Sequence, residues 1–196
     1  MVRAQTYIQG GYGWVVDVDL EKFFDRVNHD KLMSLVKERV KDERVRTLIY
    51  RSLKAGVMID DDYHWTVEGT PQGGPLSPLL ANLLLDLLDK ELGRRGHCFV
   101  RYADDCNIYV KSAKAGRRVL ASITQYLSRK LKLKVNESKS AVDRPWKRTF
   151  LGFSFTGHRP NRRKVSDKAI LRFKEEIRRR TWRTRGVTLE RVVEDL

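Results

Sequence analysis

The tetrapeptide Tyr102-Ala103-Asp104-Asp105 constrains this chain more than any other feature. It lies between two runs of strand-forming residues, 98–100 and 107–110, and so predicts a β-hairpin with adjacent carboxylates at its tip. Tight hairpin turns favour Asn-Gly or Asp-Gly because they need positive φ, whereas an Asp-Asp pair adds like-charge repulsion. A hard divalent cation would offset that repulsion through oxygen ligands, although an isolated pair of this kind is usually solvated surface.

A second acidic element lies upstream, in residues 14–20. Side chains alternate along a strand, so Asp17 and Asp19 share one face. Taken alone, the segment fits an edge strand with one polar face equally well. Set beside the Asp-Asp hairpin, it predicts a two-metal site of the kind that catalyses phosphoryl transfer. Asp19 and Asp104 are its expected central pair, Asp105 is a less direct member, and Asp17 is at most a supporting residue.

The net charge of +15 indicates a polyanionic partner. Much of the positive charge falls after Asp143, where a basic helix over residues 166–185 is expected to grip nucleic acid, with a merely solvated helix as the alternative. No secretory signal or membrane span is visible, which predicts a soluble intracellular protein. Cys98 and Cys106 are expected to be reduced, and the histidines lack metal-ligand spacing.

The periodicity of apolar residues predicts helices over 30–55, 77–94, 114–131 and 166–185, a hairpin over 57–67, and short strands near 133–135, 140–142 and 149–155. This order is typical of an α+β fold in which helices back an antiparallel sheet. The loop from Thr70 to Pro78 contains paired glycines that allow close backbone approach to a ligand, although a rigid connector explains it more simply. It lacks the Gly-Lys-Ser or Gly-Lys-Thr of a P-loop, so the sequence does not indicate an ATPase.

Five segments in this order and spacing resemble a bacterial group II intron-encoded reverse transcriptase/maturase. They are the aspartate strand 15–25, the glycine loop 70–78, the acidic hairpin 102–105, and residues 133–140 and 150–153. The resemblance implies a reverse-transcriptase palm over 1–157 without fingers, followed over 158–196 by the start of a basic helical thumb or maturase region.

The resemblance also implies roles for single residues. Asp19, Asp104 and Asp105 match the catalytic triad that binds Mg²⁺ as two ions, with Mn²⁺ as a substitute. Phe24 matches the steric gate that excludes a ribose 2′-hydroxyl. The other matches are deoxynucleotide-binding Gln72, Gly73 and Lys139, primer-grip Phe150, Leu151 and Gly152, and RNA-binding thumb residues Arg172, Lys174, Arg178, Arg179, Arg180 and Arg183.

The expected function is RNA-directed DNA polymerisation from deoxynucleoside triphosphates, on an RNA template with a DNA primer, in the bacterial cytoplasm. A role in splicing and mobility through group II intron RNA accompanies it. A second hypothesis is a maturase-like RNA-binding fragment that is inactive as a polymerase without fingers. A nucleotide-sugar glycosyltransferase with its metal at Asp17 and Asp19 would leave the acidic hairpin and the positive charge unexplained.

Overall fold

The computed structural model describes residues 1–59, 62–64, 68–70 and 74–182. Its helices are α1 Val2–Gln9, α2 His29–Arg39, α3 Glu43–Lys54, α4 Ser77–Arg94, α5 Ala113–Tyr126 and α6 Asp167–Arg180. Its strands are β1 Trp14–Val18, β2 Val57–Ile59, β3 Asp62–His64, β4 Cys98–Tyr102, β5 Asp105–Val110, β6 Ala141–Asp143, β7 Phe153–Phe155 and β8 Arg163–Val165. Short non-α turns occupy Phe23–Arg26, Leu127–Leu131 and Pro145–Lys147.

The central sheet is antiparallel with strand order β4-β5-β1-β6. Strand β1 pairs with β5 on one side and with β6 on the other, so the strand that leads to Asp19 is an inner strand. The prediction that the two acidic strands are neighbours in space is therefore confirmed, as is the antiparallel sheet backed by helices. Hairpins β2–β3 and β7–β8 form separate two-stranded sheets.

The two faces of the sheet have different cover. Val16, Val18 and Ile108 point into the main core, which they share with the apolar sides of α2, α4 and α5. The opposite face carries a smaller core around Val15 and Tyr109, closed by α1 and by Phe155 of β7. Because Asp17 and Asp19 belong to this second face, they lie away from the helical layer and beside a smaller apolar cluster.

The predicted helix over 30–55 is wrong in one respect, since the chain forms two helices there. The N-cap Asn28 accepts a hydrogen bond from Lys31 N in α2, and Asp42 accepts hydrogen bonds from Arg44 N and Val45 N in α3. The spacing of apolar residues continues across the break and so does not show it. The signal for a new helix is Asp42, because Asp is a typical N-cap residue. Residues 133–135 form no strand but contribute one bridge, between Val135 and Leu20.

Candidate active site at the acidic end of the sheet

The register between β1 and β5 brings the two acidic elements to one end of the sheet. Val18 and Cys106 are the last pair of the ladder. Asp19 follows Val18 on one strand, and Asp105 precedes Cys106 on the other. Asp19 and Asp105 are therefore the next residues beyond the end of the ladder, where the hairpin turns, and their charges are close enough to interact.

A two-residue turn carries the rest of the acidic motif. Tyr102 pairs with Asp105, which leaves Ala103 and Asp104 as the turn, and Ala103 adopts φ +51°. A non-glycine residue pays a conformational penalty there. Arg101 holds the turn in place, because its Nη1 donates to the Ala103 carbonyl at 2.7 Å while Nε and Nη2 bind the Asp89 carboxylate at 2.8 and 2.6 Å. Arg101 is a positioning residue that sequence reasoning missed.

Negative charge is crowded at this end of the sheet. Partial desolvation of the Asp105 carboxyl raises its pKa, and the nearby charges of Asp104, Asp17 and Asp19 raise it further, while Lys139 lowers it. A hard divalent cation binds carboxylate oxygens, and its charge would offset the repulsion between these side chains. In the part of the chain that the structure describes, however, no three acidic, His or Cys side chains are gathered closely enough to hold an ion. The donor chemistry fits, whereas the side chains are not preassembled into a ligand cage.

A loop from Asn136 to Ser140 fixes the backbone of Asp19. Asn136 N donates to the Asp19 carbonyl at 2.9 Å, and the Ser140 hydroxyl accepts from Asp19 N at 3.0 Å. Lys139 lies in the same loop with its side chain exposed. The predicted nucleotide-binding lysine is thus on a loop that is hydrogen-bonded to the predicted metal-binding strand.

Asp17 has a partner that the sequence did not reveal. Arg148 Nε and Nη2 lie 2.8 and 2.6 Å from Asp17 Oδ2, and Nη2 also donates to the Lys139 carbonyl at 2.6 Å. Burial raises the pKa of Asp17, and the hydrogen bond from Arg148 opposes that rise. Asp17 is therefore a structural anchor that connects β1 to the Lys139 loop through Arg148.

We expect Arg148→Met to destabilise the fold by about 1–3 kcal/mol, because it leaves a half-buried carboxylate without its donor. Asp17→Asn in the same background should recover part of that loss. Urea unfolding of the wild type, both single variants and the double variant measures the coupling between the two positions. Strictly additive losses would show that the contact between Arg148 and Asp17 does not stabilise the fold.

Phe24 lies beside the start of the glycine loop. Phe23 is buried in the main core, and the half-buried Phe24 packs against the same core, with its ring centroid 5.2 Å from that of Phe23. Gly69 N donates to Val27 O at 2.8 Å, and Thr70 N donates to Phe24 O at 2.6 Å. The backbone that leads into the loop is thus fastened to the Phe24 segment, but Gln72 and Gly73 themselves lie outside the described residues.

Gly69 is a position that sequence reasoning passed over. Its φ is +96°, and a Cβ there would lie 2.9 Å from the carbonyl oxygens of both Phe24 and Asp25. Its own carbonyl oxygen is 2.6 Å from the Nε2 of buried His29. His29 therefore has a packing role, and the Gly69 position admits only glycine without a shift of the backbone.

The predicted primer grip forms a tight turn at the junction with α6. Phe150 and Phe153 exchange backbone hydrogen bonds of 2.8 and 3.0 Å, and the central residues Leu151 and Gly152 have φ +52° and +76°. Positive φ at both central positions is the pattern of a type I′ turn. Ser166 N donates to Gly152 O at 2.9 Å, and the Ser166 hydroxyl caps α6. A backbone hydrogen bond thus joins this turn to Ser166, the residue that caps the basic helix.

The basic helix stands apart from the cores. No residue of α6 is buried, and Arg179 and Arg180 both bind Glu176 at 2.7 Å. Arg172, Lys174 and Arg178 are exposed on the same helix, whereas Arg183 lies outside the described residues. Of the described helices, none is long and apolar enough to cross a membrane.

The chain is similar to known proteins both in sequence and in fold. Residues 3–155 match the family described as reverse transcriptase (RNA-dependent DNA polymerase). The chain is 48% identical over 81 residues to the group II intron-encoded protein LtrA of Lactococcus lactis subsp. cremoris, which covers 41% of this chain and 14% of that protein. It is 31% identical over 180 residues to protein YkfC of Escherichia coli, covering 74% of this chain and 46% of that protein.

Among solved structures, telomerase from Candida tropicalis in complex with a fragment of telomeric RNA superposes with a TM-score of 0.59 at 14% identity. The match covers 78% of this chain and 30% of the telomerase chain. At that identity the similarity concerns the fold alone. The chain spans less than half the length of both curated relatives.

Proposed function

Because this chain belongs to the reverse transcriptase family, in its group II intron-encoded branch, we propose that it contains the polymerase active site of an RNA-directed DNA polymerase. The observation that supports the proposal is the β1–β5 register, because its last pair, Val18 and Cys106, directly adjoins Asp19 and Asp105, and Asp104 lies in the turn next to Asp105. The reaction joins the primer 3′-hydroxyl to the α-phosphorus of a deoxynucleoside triphosphate, and the bond to pyrophosphate breaks.

Asp19, Asp104 and Asp105 are the residues that would hold Mg²⁺, which when bound supplies positive charge to the attacking oxygen and to the leaving pyrophosphate. The chain itself positions these groups. Arg101 and the Asn136–Ser140 loop hold the backbone on either side of the acidic cluster. Such preorganisation matters, because misplacement by about 1 Å can cost a hundredfold in rate.

Lys139 completes the polar part of the site. Its charge is close enough to Asp105 to lower the pKa of that carboxyl, and its exposed ammonium group can bind the triphosphate. We propose that the same group donates a proton to the pyrophosphate as it leaves. Gln72 and Gly73 are proposed to contact the nucleotide and template, and the Phe150–Gly152 turn to hold the primer end.

Phe24 sets the choice of sugar in this proposal. Phe24→Ala should admit ribonucleotides, because the smaller side chain leaves space for a 2′-hydroxyl, and the preference for deoxynucleotides should fall by at least about tenfold. Single-nucleotide incorporation with matched deoxy- and ribonucleotides measures it. Phe23→Leu is the control, since Phe23 lies in the core. An active Phe24→Ala enzyme with unchanged selectivity would remove Phe24 from this role.

Primer extension tests the proposed function itself. A labelled DNA primer on an RNA template, with deoxynucleotides and Mg²⁺, should be extended by this chain, and Mn²⁺ should replace Mg²⁺. Extension that needs neither metal nor the RNA template would contradict the proposal. Binding of the primer–template with no extension in either metal would contradict the proposal for this chain and leave RNA binding as its role.

Binding of RNA without polymerisation is the second candidate, and exposed α6 favours it. Basic side chains on a helix with no buried residue are available for backbone phosphates. In this case the partner is a folded group II intron RNA, and the role is to stabilise it for splicing and mobility. Asp104→Asn separates the candidates, since it removes polymerisation and leaves salt-dependent RNA binding in place.

A further inference from the structure

A basic cavity lies at the opposite end of the sheet from the acidic cluster. It has a volume of about 540 Å³ and is formed where β4 begins, where β5 ends and where α5 crosses them. Strand β5 runs from Asp105 to Val110, so the cavity is roughly 17 Å from the acidic hairpin at about 3.4 Å per residue. No group of the proposed active site lines it, so it is a separate surface.

The charge of this cavity has one sign. Arg95, His97, Lys111 and Arg118 line it, and none of its described lining residues is an Asp or a Glu. Glu91 binds both Arg94 and Arg95, so Arg95 is a paired cation. Burial and the charge of Arg95 lower the pKa of His97. An anion in the cavity would therefore meet Lys111 and Arg118, which form no ion pair with the described residues, beside Arg95, which is paired with Glu91.

Arg95 is held in a fixed position, and Lys111 lies near an aromatic ring. Arg95 donates from Nε to Glu91 at 2.7 Å and from Nη1 to the Ser122 hydroxyl at 2.6 Å, and it lies 5.8 Å from the Tyr126 ring centroid. Lys111 Nζ lies 5.6 Å from the ring centroid of Tyr12. Arg118 is exposed across the cavity on α5. Fixed donors bind a phosphate with less loss of side-chain entropy than free ones.

The floor of the cavity is apolar. Cys98, Tyr109, Val110 and Val119 contribute to it, beside the ring of Tyr12. Inorganic phosphate makes no use of such a floor, whereas an unstacked base does, because single-stranded nucleic acid is bound by aromatic and apolar surface beneath a cationic groove. A duplex would keep its bases stacked inside and would reach only the rim.

We propose that this cavity is a second RNA-binding site, which holds one unstacked nucleotide of a single-stranded RNA with its base on the apolar floor and its flanking phosphates on Arg95, Lys111 and Arg118. The site rests on the proposed function only for the choice of RNA as the polyanion. Its place at the far end of β5 means that the bound RNA segment is not the template–primer end at the acidic cluster. It would anchor a distant segment of the same RNA or a second RNA.

Fluorescence anisotropy with a labelled single-stranded RNA of 12 nucleotides tests the proposal. The double variant Lys111→Gln/Arg118→Gln should weaken binding by about tenfold, and should lower the slope of log K against log salt by about 1.4, since each phosphate contact to a single strand contributes about 0.7. Lys41→Gln/Arg44→Gln is the matched control, with the same loss of charge at exposed positions outside the cavity. Equal effects of the two double variants would overturn the site.

The apolar floor has its own test. Tyr12→Ala should weaken RNA binding at least about fivefold, whereas Tyr12→Phe should keep it, and urea unfolding identifies any loss of fold. Inorganic polyphosphate of matched charge should compete poorly with the RNA. If polyphosphate competes as well as RNA and Tyr12→Ala is neutral, the cavity binds anions in general and the nucleotide site is wrong. Primer extension at saturating primer–template should be unchanged in Lys111→Gln/Arg118→Gln, which separates this site from the proposed polymerase site.

Discussion

Asp104→Asn should reduce primer extension by at least about 10³-fold, because charge stabilisation by a bound metal is worth several kcal/mol and this carboxylate is a proposed metal ligand. The change is nearly isosteric, so the hairpin turn should persist. Arg101 still donates to the Ala103 carbonyl, which does not involve the Asp104 side chain. Rates of single-nucleotide incorporation under saturating primer–template measure the effect on chemistry.

Asp30→Asn is the matched control for this variant. Asp30 is an exposed carboxylate in the first turn of α2, away from the acidic cluster. It should extend primers at the wild-type rate, and both variants should bind RNA with affinities within about twofold of the wild type. A fall in incorporation of less than tenfold in Asp104→Asn would mean that Asp104 does not take part in the chemistry.

Gly69→Ala should destabilise the protein by about 3 kcal/mol, and this is the largest stability effect we expect from a single methyl group. Two costs add. The backbone at φ +96° disfavours any residue with a Cβ, and the new methyl would lie 2.9 Å from two backbone carbonyl oxygens. Because those oxygens belong to Phe24 and Asp25, relief of the clash displaces the segment that carries the proposed steric gate. Urea unfolding and single-nucleotide incorporation should both show the loss.

Gly11→Ala separates the two costs. Gly11 has nearly the same φ, +94°, but a Cβ there would meet nothing within 4 Å. This variant should therefore lose only about 1–2 kcal/mol, the cost of the left-handed conformation. If both variants lose the same stability, the close approach between Gly69 and the Phe24 segment makes no contribution, and the glycine is required for its φ alone.

The sequence predicted those strands and helices whose residue pattern repeats over a few neighbouring positions. Alternation in residues 14–20 and the Asp-Asp motif were enough to predict that the two acidic strands are neighbours, and the pairing of β1 with β5 confirms it. The apolar spacing likewise predicted α4 with its bounds. Each of these depends on residues close together in sequence, where strand and helix periods leave a direct trace.

Contacts between distant residues were not predictable in the same way. Arg148 and Asp17 are 131 residues apart, and many arginines in this basic chain were equally plausible partners. Arg101 lies next to the acidic motif, yet its bonds to Asp89 and Ala103 depend on how α4 crosses β4. Gly69 was visible as a loop glycine, but its requirement comes from the backbone of Phe24 and Asp25. Such positioning groups are defined only once the elements pack.

The most direct measurement is Mn²⁺ binding by electron paramagnetic resonance, in the presence of a nonhydrolysable deoxynucleoside triphosphate analogue. The central claim is that Asp19, Asp104 and Asp105 together hold the catalytic divalent metal ions. The wild type should bind Mn²⁺, Asp19→Asn and Asp104→Asn should each weaken binding by at least about tenfold, and Asp30→Asn should not. Unchanged Mn²⁺ binding in both site variants, with the fold intact, would contradict the claim.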